Sequence, residues 1–330
     1  MTKNKHSYAI DILRFLLAFG VVLCHYWSPE TETGLNSVIL AWRSNAASAF
    51  FLLSFFLTGS RFLTNDQDYL KKRLKRLLIP YFVWGLFGWV VYAAVHCSGM
   101  SIRKLLMGLF WQMLIGHGDA VNSPLWFLAV LCWLTALYAF LFRKLKQKQA
   151  VIVICILAVL SLILQATGIH ARLFSVLPFE AKYPLGRTVE MIPYATAGIL
   201  LSSALQDAEI RLPIFLSSIA VLVCYLCFPK FLSFEGFGYS GLMKLAASIS
   251  LILVALYLDS YISKDSWKSV IRTISLHTLG IYCMHYDVGL VISRLGFINN
   301  SFLLCIVIYI LCYFIAAGIA RSPRLRPLVD

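Results

Sequence analysis

Three ionisable residues lie within the first long apolar segment of the chain, Ala9–Trp27: Asp11, Arg14 and His25. Ionisable side chains inside a membrane are costly, and by default they mark a functional site. On a helix, eleven residues bring His25 back to within about 20° of the face that carries Arg14, about 16.5 Å further along the axis. A neutral imidazole at that depth can take a proton from a hydroxyl group while the hydroxyl oxygen attacks an acyl carbon.

Asp11 precedes Arg14 by three residues, so the two side chains share a helix face and are placed for an ion pair. One face of this helix therefore carries a charged pair toward one membrane surface and an imidazole toward the other. Two alternatives stay open: His25 has a packing role and hydrogen-bonds a neighbouring helix, and Arg14 pairs with a phosphate group instead of with Asp11.

A second candidate is the basic segment that contains Arg73 and Arg76. Residues three apart on a helix point to one side, and two planar guanidinium groups together suit a phosphate or pyrophosphate. The segment is predicted to lie in a cytoplasmic loop, Thr64–Leu78, with Pro80 in the first turn of the next span. The alternative is that the loop is basic only because cytoplasmic loops collect basic residues and attract anionic lipid. Further along, His285 lies toward the outer half of an apolar segment, where structural and site roles are both open.

The composition indicates which class of protein positions these residues. The chain has 330 residues, of which 60% are hydrophobic and 13% charged, and its mean hydropathy is +0.79. These values exclude a soluble domain and predict a polytopic membrane protein. Apolar residues on all sides of each segment favour an all-α bundle over a barrel. We expect residues 1–330 to form one domain with about ten transmembrane helices. The expected spans are Ala9–Trp27, Ala46–Leu63, Ile79–Cys97, Leu125–Phe142, Ala150–Gly168, Thr188–Leu205, Leu212–Phe228, Leu242–Leu258, Arg272–Ile292 and Phe302–Ile319.

The basic residues predict the orientation of this bundle. With the N-terminus inside, 19 of the 29 lysines and arginines fall on the cytoplasmic side and eight on the other. This bias follows the positive-inside rule and places both termini in the cytoplasm. The net charge of +14 is then a consequence of topology, so nucleic acid is not an expected partner. Most cysteines fall within spans and are interpreted as small packing residues, and no metal site is expected.

Three loops between the spans are predicted to be long enough to matter: Ser28–Asn45 and His170–Arg187 on the outer side, and Thr64–Leu78 on the cytoplasmic side. The two outer loops are expected to select the acceptor. Ile102–Ile115 is too short to cross a bilayer and is expected to lie along its interface.

The stretch from Tyr8 to Arg14, followed by ten residues and then His25, resembles the opening of acyltransferase family 3. Members of this family are integral-membrane acyltransferases that modify bacterial surface carbohydrates. Four later segments resemble further blocks of the family in the same order, one of them with Phe55 where the family usually has glycine. These segments are Ala49–Leu57, Arg73-x-x-Arg76 with Pro80-Tyr81, Ser123–Leu128 and Ile281–His285.

The resemblance implies a multi-pass protein of the bacterial cytoplasmic membrane, in contact with membrane lipids. It implies acyl-CoA, usually acetyl-CoA, as a co-substrate rather than a permanently bound cofactor, and a carbohydrate or glycolipid acceptor. It also implies a role for each candidate residue. His25 is the expected catalytic base with Arg14 and Asp11 beside it, Arg73, Arg76, Lys72 and Arg61 hold the donor, and Ser54, Trp126, Tyr282 and His285 contact the substrates.

Two other classes of function stay open from the residues alone. In a transporter or flippase for a lipid-linked saccharide, Arg14 and His25 would line the permeation route. In a non-catalytic scaffold or sensor, both residues would tolerate replacement. Dependence on acyl-CoA separates acyl transfer from transport. The residues do not identify the acceptor, the size of the acyl group or the oligomeric state. They also leave open whether the acyl group is transferred directly or through an acyl-enzyme intermediate on His25.

Overall fold

The computed structural model describes residues 6–29, 34–96, 101–115, 123–176, 179–205, 210–227 and 241–329. Over these residues the chain is helical with connecting turns and contains no strand, which confirms the predicted all-α class. One-turn 3₁₀ helices lie at Ser123–Leu125 and Arg326–Leu328. The α-helices are α1 (Tyr8–Tyr26), α2 (Leu35–Phe56), α3 (Gly59–Leu63), α4 (Gln67–His96), α5 (Ile102–Ile115), α6 (Trp126–Lys144), α7 (Gln147–Ala166), α8 (Ile169–Ser175), α9 (Phe179–Ala204), α10 (Leu212–Cys227), α11 (Leu242–Asp259), α12 (Asp265–Ser275), α13 (Thr278–Leu295) and α14 (Ser301–Ala320).

Helix α1 lies at the centre of the bundle. Its first turn is capped by Ser7, whose hydroxyl accepts a hydrogen bond from the Ile10 amide (3.3 Å). It packs against α2, α11, α12, α13 and α14, and Leu17 and Val22 are fully buried in these contacts. At the start of α1, Asp11 is buried in these contacts and Arg14 is half-buried, whereas Ile12 and Leu16 on another side of the helix are exposed.

Seven of the described helices are long and apolar enough to cross a membrane: α1, α2, α4, α6, α7, α11 and α14. Helix α10 is apolar but shorter, α9 has charged residues in its first half, and α13 contains Asp287 and Arg294. Each of the ten expected spans coincides with at least one helix, so the chain is a multi-pass membrane bundle. The number of crossings stays a prediction.

Contacts between helix ends show which ends share a side of the bundle. The Ala9 amide donates to Asp259 Oδ1 (2.9 Å), which places the start of α1 beside the end of α11. On the opposite side, Ser301 Oγ donates to the Ser28 carbonyl (3.2 Å), next to the end of α1. We call the first side the basic end, because the arginine-rich start of α4 also lies there. It is the side predicted to be cytoplasmic.

Two predicted outer loops are largely helical, so those predictions were wrong. Helix α2 begins at Leu35, well inside the expected loop Ser28–Asn45, because no glycine or proline interrupts it and it packs against α9, α10 and α11. The expected loop His170–Arg187 forms α8 and the first turns of α9. Glu190, expected in the first turns of a span, therefore lies well inside a helix.

The prediction that Thr64–Leu78 forms a loop was also wrong, because α4 begins at Gln67 and runs through the basic segment. Asp66 Oδ1 accepts a hydrogen bond from the Tyr69 amide (3.1 Å) at the start of this helix. Leucine, lysine and arginine are good helix formers, so the segment needs no loop. Pro80 consequently lies in the helix interior rather than in its first turn, and it cannot donate to the carbonyl of Arg76.

Two of the expected spans are each divided between two helices. The second span is α2 followed by α3, with a break between Phe56 and Gly59, and the ninth is the end of α12 followed by α13. The bounds expected for the short segment Ile102–Ile115 are confirmed, since α5 covers these residues. Its position along the membrane interface stays a prediction. The described cysteines are all free, and Cys132, Cys283, Cys305 and Cys312 are buried as expected for packing residues, whereas Cys24, Cys224 and Cys227 are exposed.

Close approach of α9 to α2 depends on Gly198. A Cβ atom at this position would lie 2.5 Å from the Leu52 carbonyl oxygen and 2.8 Å from the Phe56 amide nitrogen. Backbone atoms cannot move aside as a flexible side chain can. Gly198→Ala is therefore expected to push the helices apart and to lower the free energy of unfolding by about 1–3 kcal/mol.

The matched control is Gly318→Ala on α14, where no atom lies within 4 Å of the added Cβ. That change is expected to leave stability unchanged or to raise it slightly, because alanine favours a helix over glycine by about 1 kcal/mol. Thermal unfolding midpoints of the purified variants in one detergent measure the difference. Equal midpoints for the two variants would contradict the tight α2–α9 contact.

Candidate active site

A cavity of about 260 Å³ opens between α1, α2, α4, α6 and α13. It brings together five candidate residues from distant parts of the sequence: Arg14, Ser54, Arg73, Arg76 and Tyr282. The remaining wall is mostly apolar, with Phe50, Leu53, Leu57, Thr58, Tyr69, Leu77, Phe127, Leu128, Leu131, Thr278 and Leu279. We call this space the inner cavity. Its combination of apolar wall and few polar groups is typical of small-molecule sites.

Arg14 lies at the basic-end side of the inner cavity. Its guanidinium donates to Thr278 Oγ1 (3.2 Å) and lies 3.6 Å from Asp11 Oδ1, which confirms the expected ion pair. The Asp11 carboxylate is buried, and its other oxygen lies 2.7 Å from His6 Nε2. Asp11 therefore orients Arg14 from behind and does not itself line the inner cavity.

Arg73 turns inward from α4 and is held on three sides. Its Nη2 donates to Ser54 Oγ (2.8 Å) and its Nε to Thr135 Oγ1 (3.4 Å). Its guanidinium carbon lies 5.5 Å from the ring centroid of Phe55, a cation–π contact. The departure from the family pattern at Phe55 thus fills the space beside Ser54 and supports the arginine.

The other basic candidates divide into two groups. Arg76, one turn after Arg73, is exposed and also faces the inner cavity, so the expected shared face is confirmed. Arg61 instead pairs with Asp66 (3.0 Å) and lies over the ring of Tyr69. Lys72 is exposed and is not among the residues that line this cavity. The structure brings neither Arg61 nor Lys72 to the site.

Beyond the inner cavity, three rings lead toward the far side of the bundle. Tyr282 packs against Phe127 with ring centroids 5.0 Å apart, and its hydroxyl donates to the Pro124 carbonyl. The ring of His285 lies 5.9 Å from that of Tyr282 and 5.2 Å from that of His25. His25 is exposed, whereas His285 is fully buried. Tyr282 thus stands between the inner cavity and the pair of histidines.

The hydrogen bond of His285 identifies which of its ring nitrogens carries the proton in the neutral side chain. Nδ1 lies 2.6 Å from the Tyr282 carbonyl oxygen, which can only accept, so Nδ1 is the donor. Nε2 then has a free lone pair, and it is buried without a hydrogen-bond partner among the described residues. A buried acceptor of this kind beside His25 calls for a functional explanation.

Trp126 is placed differently from the prediction that it contacts substrate. Its ring is buried and stacks on that of Phe51, with the ring centroids 6.4 Å apart. The guanidinium carbon of Arg187 lies 5.9 Å from the Trp126 ring centroid. It does not line the inner cavity.

Sequence reasoning missed two features of the site region. Thr278, which holds Arg14, lies one turn before Tyr282, and that spacing was the available signal. Arg187 pairs with the buried Glu190 at 2.6 Å, and the spacing of three residues on one helix could have indicated this pair.

Comparison with known proteins agrees with this arrangement. The family model described as an acyltransferase domain, that of acyltransferase family 3, matches residues 7–321, nearly the whole chain. No curated protein and no solved structure matches the chain. The match includes all the candidate residues and favours acyl transfer over the transport and scaffold alternatives. The chain therefore belongs to acyltransferase family 3 and is a membrane acyltransferase.

Proposed function

We propose that this acyltransferase transfers an acyl group, most simply acetyl, from acyl-CoA to a hydroxyl of a cell-surface or lipid-linked carbohydrate. One observation carries the proposal: the inner cavity joins Arg14, Arg73 and Arg76 near the basic end to Tyr282, which packs against His285 and so leads to His25. The donor enters from the basic end, which we assign to the cytoplasm of a bacterium, and the acceptor approaches the exposed ring of His25.

The donor end of the site matches the chemistry of acyl-CoA. Its phosphates require cations, and Arg76 offers an exposed guanidinium at the entrance. Arg73 lies deeper, where its hydrogen bonds to Ser54 and Thr135 fix it beside the path of the uncharged arm. The apolar wall of the inner cavity accommodates that arm.

In the proposed reaction, His25 acts as general base. One ring nitrogen takes the proton from the acceptor hydroxyl as the oxygen attacks the thioester carbonyl carbon. The tetrahedral intermediate collapses, the carbon–sulfur bond breaks and the sulfur leaves as thiolate. The thiolate takes the proton from His25, so the products are an ester and free CoA. In the acyl-enzyme variant, His25 itself attacks the thioester and then passes the acyl group to the hydroxyl.

His285 has a positioning role in this scheme. A small rotation of the exposed His25 ring lets its N–H donate to the free Nε2 of His285, which leaves the other His25 nitrogen as the base. His285→Phe keeps a ring in the site and removes the acceptor. Since a hydrogen bond to a group that becomes charged contributes about 1.5–3 kcal/mol, kcat should fall by about 10- to 150-fold.

The measurement is a steady-state assay of acyl transfer by the wild type and His285→Phe, with a thermal unfolding midpoint for each. KM for acetyl-CoA should stay unchanged, because His285 does not line the inner cavity. An unchanged kcat in a well-folded variant would exclude the positioning role.

The proposed function is tested with inside-out membrane vesicles that contain the protein and its native glycans. Acetyl-CoA is supplied with the label either in the acetyl group or in the adenine. Alkali-labile label in the glycan fraction is expected from the acetyl-labelled donor alone. Empty vesicles and vesicles with His25→Ala are the controls. If neither donor labels the glycan, O-acetylation from acetyl-CoA is wrong. If saccharide crosses the vesicle membrane without acyl-CoA, transport is supported instead.

A further inference from the structure

A second cavity, of about 510 Å³, opens at the basic end next to the inner cavity. We call it the outer cavity. Four parts of the chain form it: the start of α1, the basic segment of α4, the end of α12 and the C-terminal segment. Its lining consists of His6, Asp11, Arg14, Arg76, Arg272, Ser275, Leu276, Pro323, Arg326 and Pro327.

The outer cavity has a strong excess of positive charge. Among the residues that the structure describes, its lining includes four arginines and a single carboxylate, that of Asp11, which already contacts Arg14 and His6. Arg76 and Arg272 are both exposed, and neither forms an ion pair within the part of the chain that the structure describes. Arg76 and Arg272 thus present two guanidinium groups that can bind a multiply charged phosphate compound, with Arg326 beside them in the same lining.

The two cavities share part of their walls. Arg14 and Arg76 line both, so the cationic outer cavity adjoins the mostly apolar inner cavity. A ligand that fits both has a head with several phosphates and a long uncharged arm. The edge formed by Leu276, Pro323 and Pro327 supplies an apolar surface for a nucleobase. An acyl-CoA has all of these parts.

We infer that the outer cavity binds the phosphorylated nucleotide head of the acyl donor through Arg76, Arg272 and Arg326, while the arm passes Arg14 into the inner cavity. The inference rests on the proposed function and extends it, because Arg272 and Arg326 lie far from the Arg73-x-x-Arg76 segment in the sequence. The inference also gives Arg73 and Arg76 different roles. Arg76 binds the head of the donor, whereas Arg73 remains hydrogen-bonded to Ser54 and Thr135.

The C-terminal segment is held in place to form this wall. Trp84 Nε1 donates to the Leu328 carbonyl (2.9 Å), and the Gly280 amide donates to the Val329 carbonyl (3.1 Å). These bonds fix the turn that carries Arg326 against α4 and α13. The position of Arg326 is therefore set by tertiary hydrogen bonds.

The test uses the double variant Arg272→Gln with Arg326→Gln and two donors, acetyl-CoA and S-acetylpantetheine, which lacks the nucleotide and its phosphates. Each lost arginine should raise KM for acetyl-CoA by about 10-fold, as expected for a charged hydrogen bond. Activity with S-acetylpantetheine should stay at the wild-type level, since that donor reaches only the inner cavity. The matched control is Lys268→Gln with Arg324→Gln, which removes the same charge from the same two segments outside both cavities.

Anionic lipid headgroups carry the same phosphate chemistry, so CoA binding is measured in nanodiscs of phosphatidylcholine alone and with phosphatidylglycerol. Weaker CoA binding by the double variant in both lipids supports the inference. Wild-type affinity for CoA in the double variant, or a loss that appears only with phosphatidylglycerol, would overturn it and assign the cavity to lipid. An equal loss with S-acetylpantetheine would also overturn it, as a general disturbance of the fold. If the wild type binds no CoA in either lipid, the proposed donor itself is wrong.

Discussion

Replacing His25 with alanine is expected to lower the rate of acyl transfer by about 10²- to 10⁴-fold, the usual contribution of a positioned general base. The fall should appear in kcat, because His25 is proposed to act on the proton of the acceptor hydroxyl and lines neither the inner nor the outer cavity, in which the donor is proposed to be held. The measurement is product formation by purified protein with saturating acetyl-CoA. Affinity for CoA, measured separately, should equal that of the wild type.

A matched control for this change is His6→Ala at the opposite end of α1. His6 contacts Asp11 and lines the outer cavity only, so its loss should act on KM for the donor more than on kcat. If His25→Ala keeps full activity while its CoA binding and folding are normal, the base must be another group and the proposed chemistry is wrong.

Arg14→Ala has the second largest expected effect. Arg14 lines both cavities, as Arg76 does, and unlike Arg76 it is held in place by Asp11 and Thr278. Removing a charged hydrogen-bond donor from the donor path should lower kcat/KM by about 10- to 150-fold. Arg14→Lys keeps the charge without the planar fork and should recover part of the loss.

Arg61→Ala is the control for this variant, because it removes the same side chain from an exposed pair with Asp66 outside both cavities. Exposed ion pairs contribute about 0–1 kcal/mol, so its activity should stay close to the wild-type level. Equal losses of activity in Arg14→Ala and Arg61→Ala would show that Arg14 acts only through the net positive charge of the protein and not through its position at the cavities.

Local spacing predicted the parts of the site that lie on one helix. The Asp11–Arg14 pair follows from a separation of three residues, and the shared face of Arg73 and Arg76 follows from the same rule. The different roles of Arg73 and Arg76 do not follow from it. Arg73 is drawn inward by Ser54 and Thr135, which come from two other helices, and a single sequence does not show such partners.

The sequence predicted the helices better than the segments between them. A hydropathy window stops at charged residues, so the starts of α2 and α4 were assigned to loops although both are helical. Charge decides whether a segment enters lipid, whereas helix propensity and tertiary contacts decide whether it is helical. The outer cavity was missed for a related reason, since the segment that carries Arg326 is held there by long-range hydrogen bonds from Trp84 to the Leu328 carbonyl and from the Gly280 amide to the Val329 carbonyl.

If the proposed function is correct, the complete burial of His285 bears on a problem faced by any enzyme that passes a group across an energised membrane. An open channel from one side to the other would let protons leak and would dissipate the gradient that the cell maintains. Here the rings of Tyr282 and His285 lie between the inner cavity and His25. In the proposed scheme only the uncharged, acylated arm of the donor passes these rings to His25, while the charged head stays at the basic end. The acyl group then reaches His25 without the phosphates crossing the bundle, so no permanently open path for ions is required.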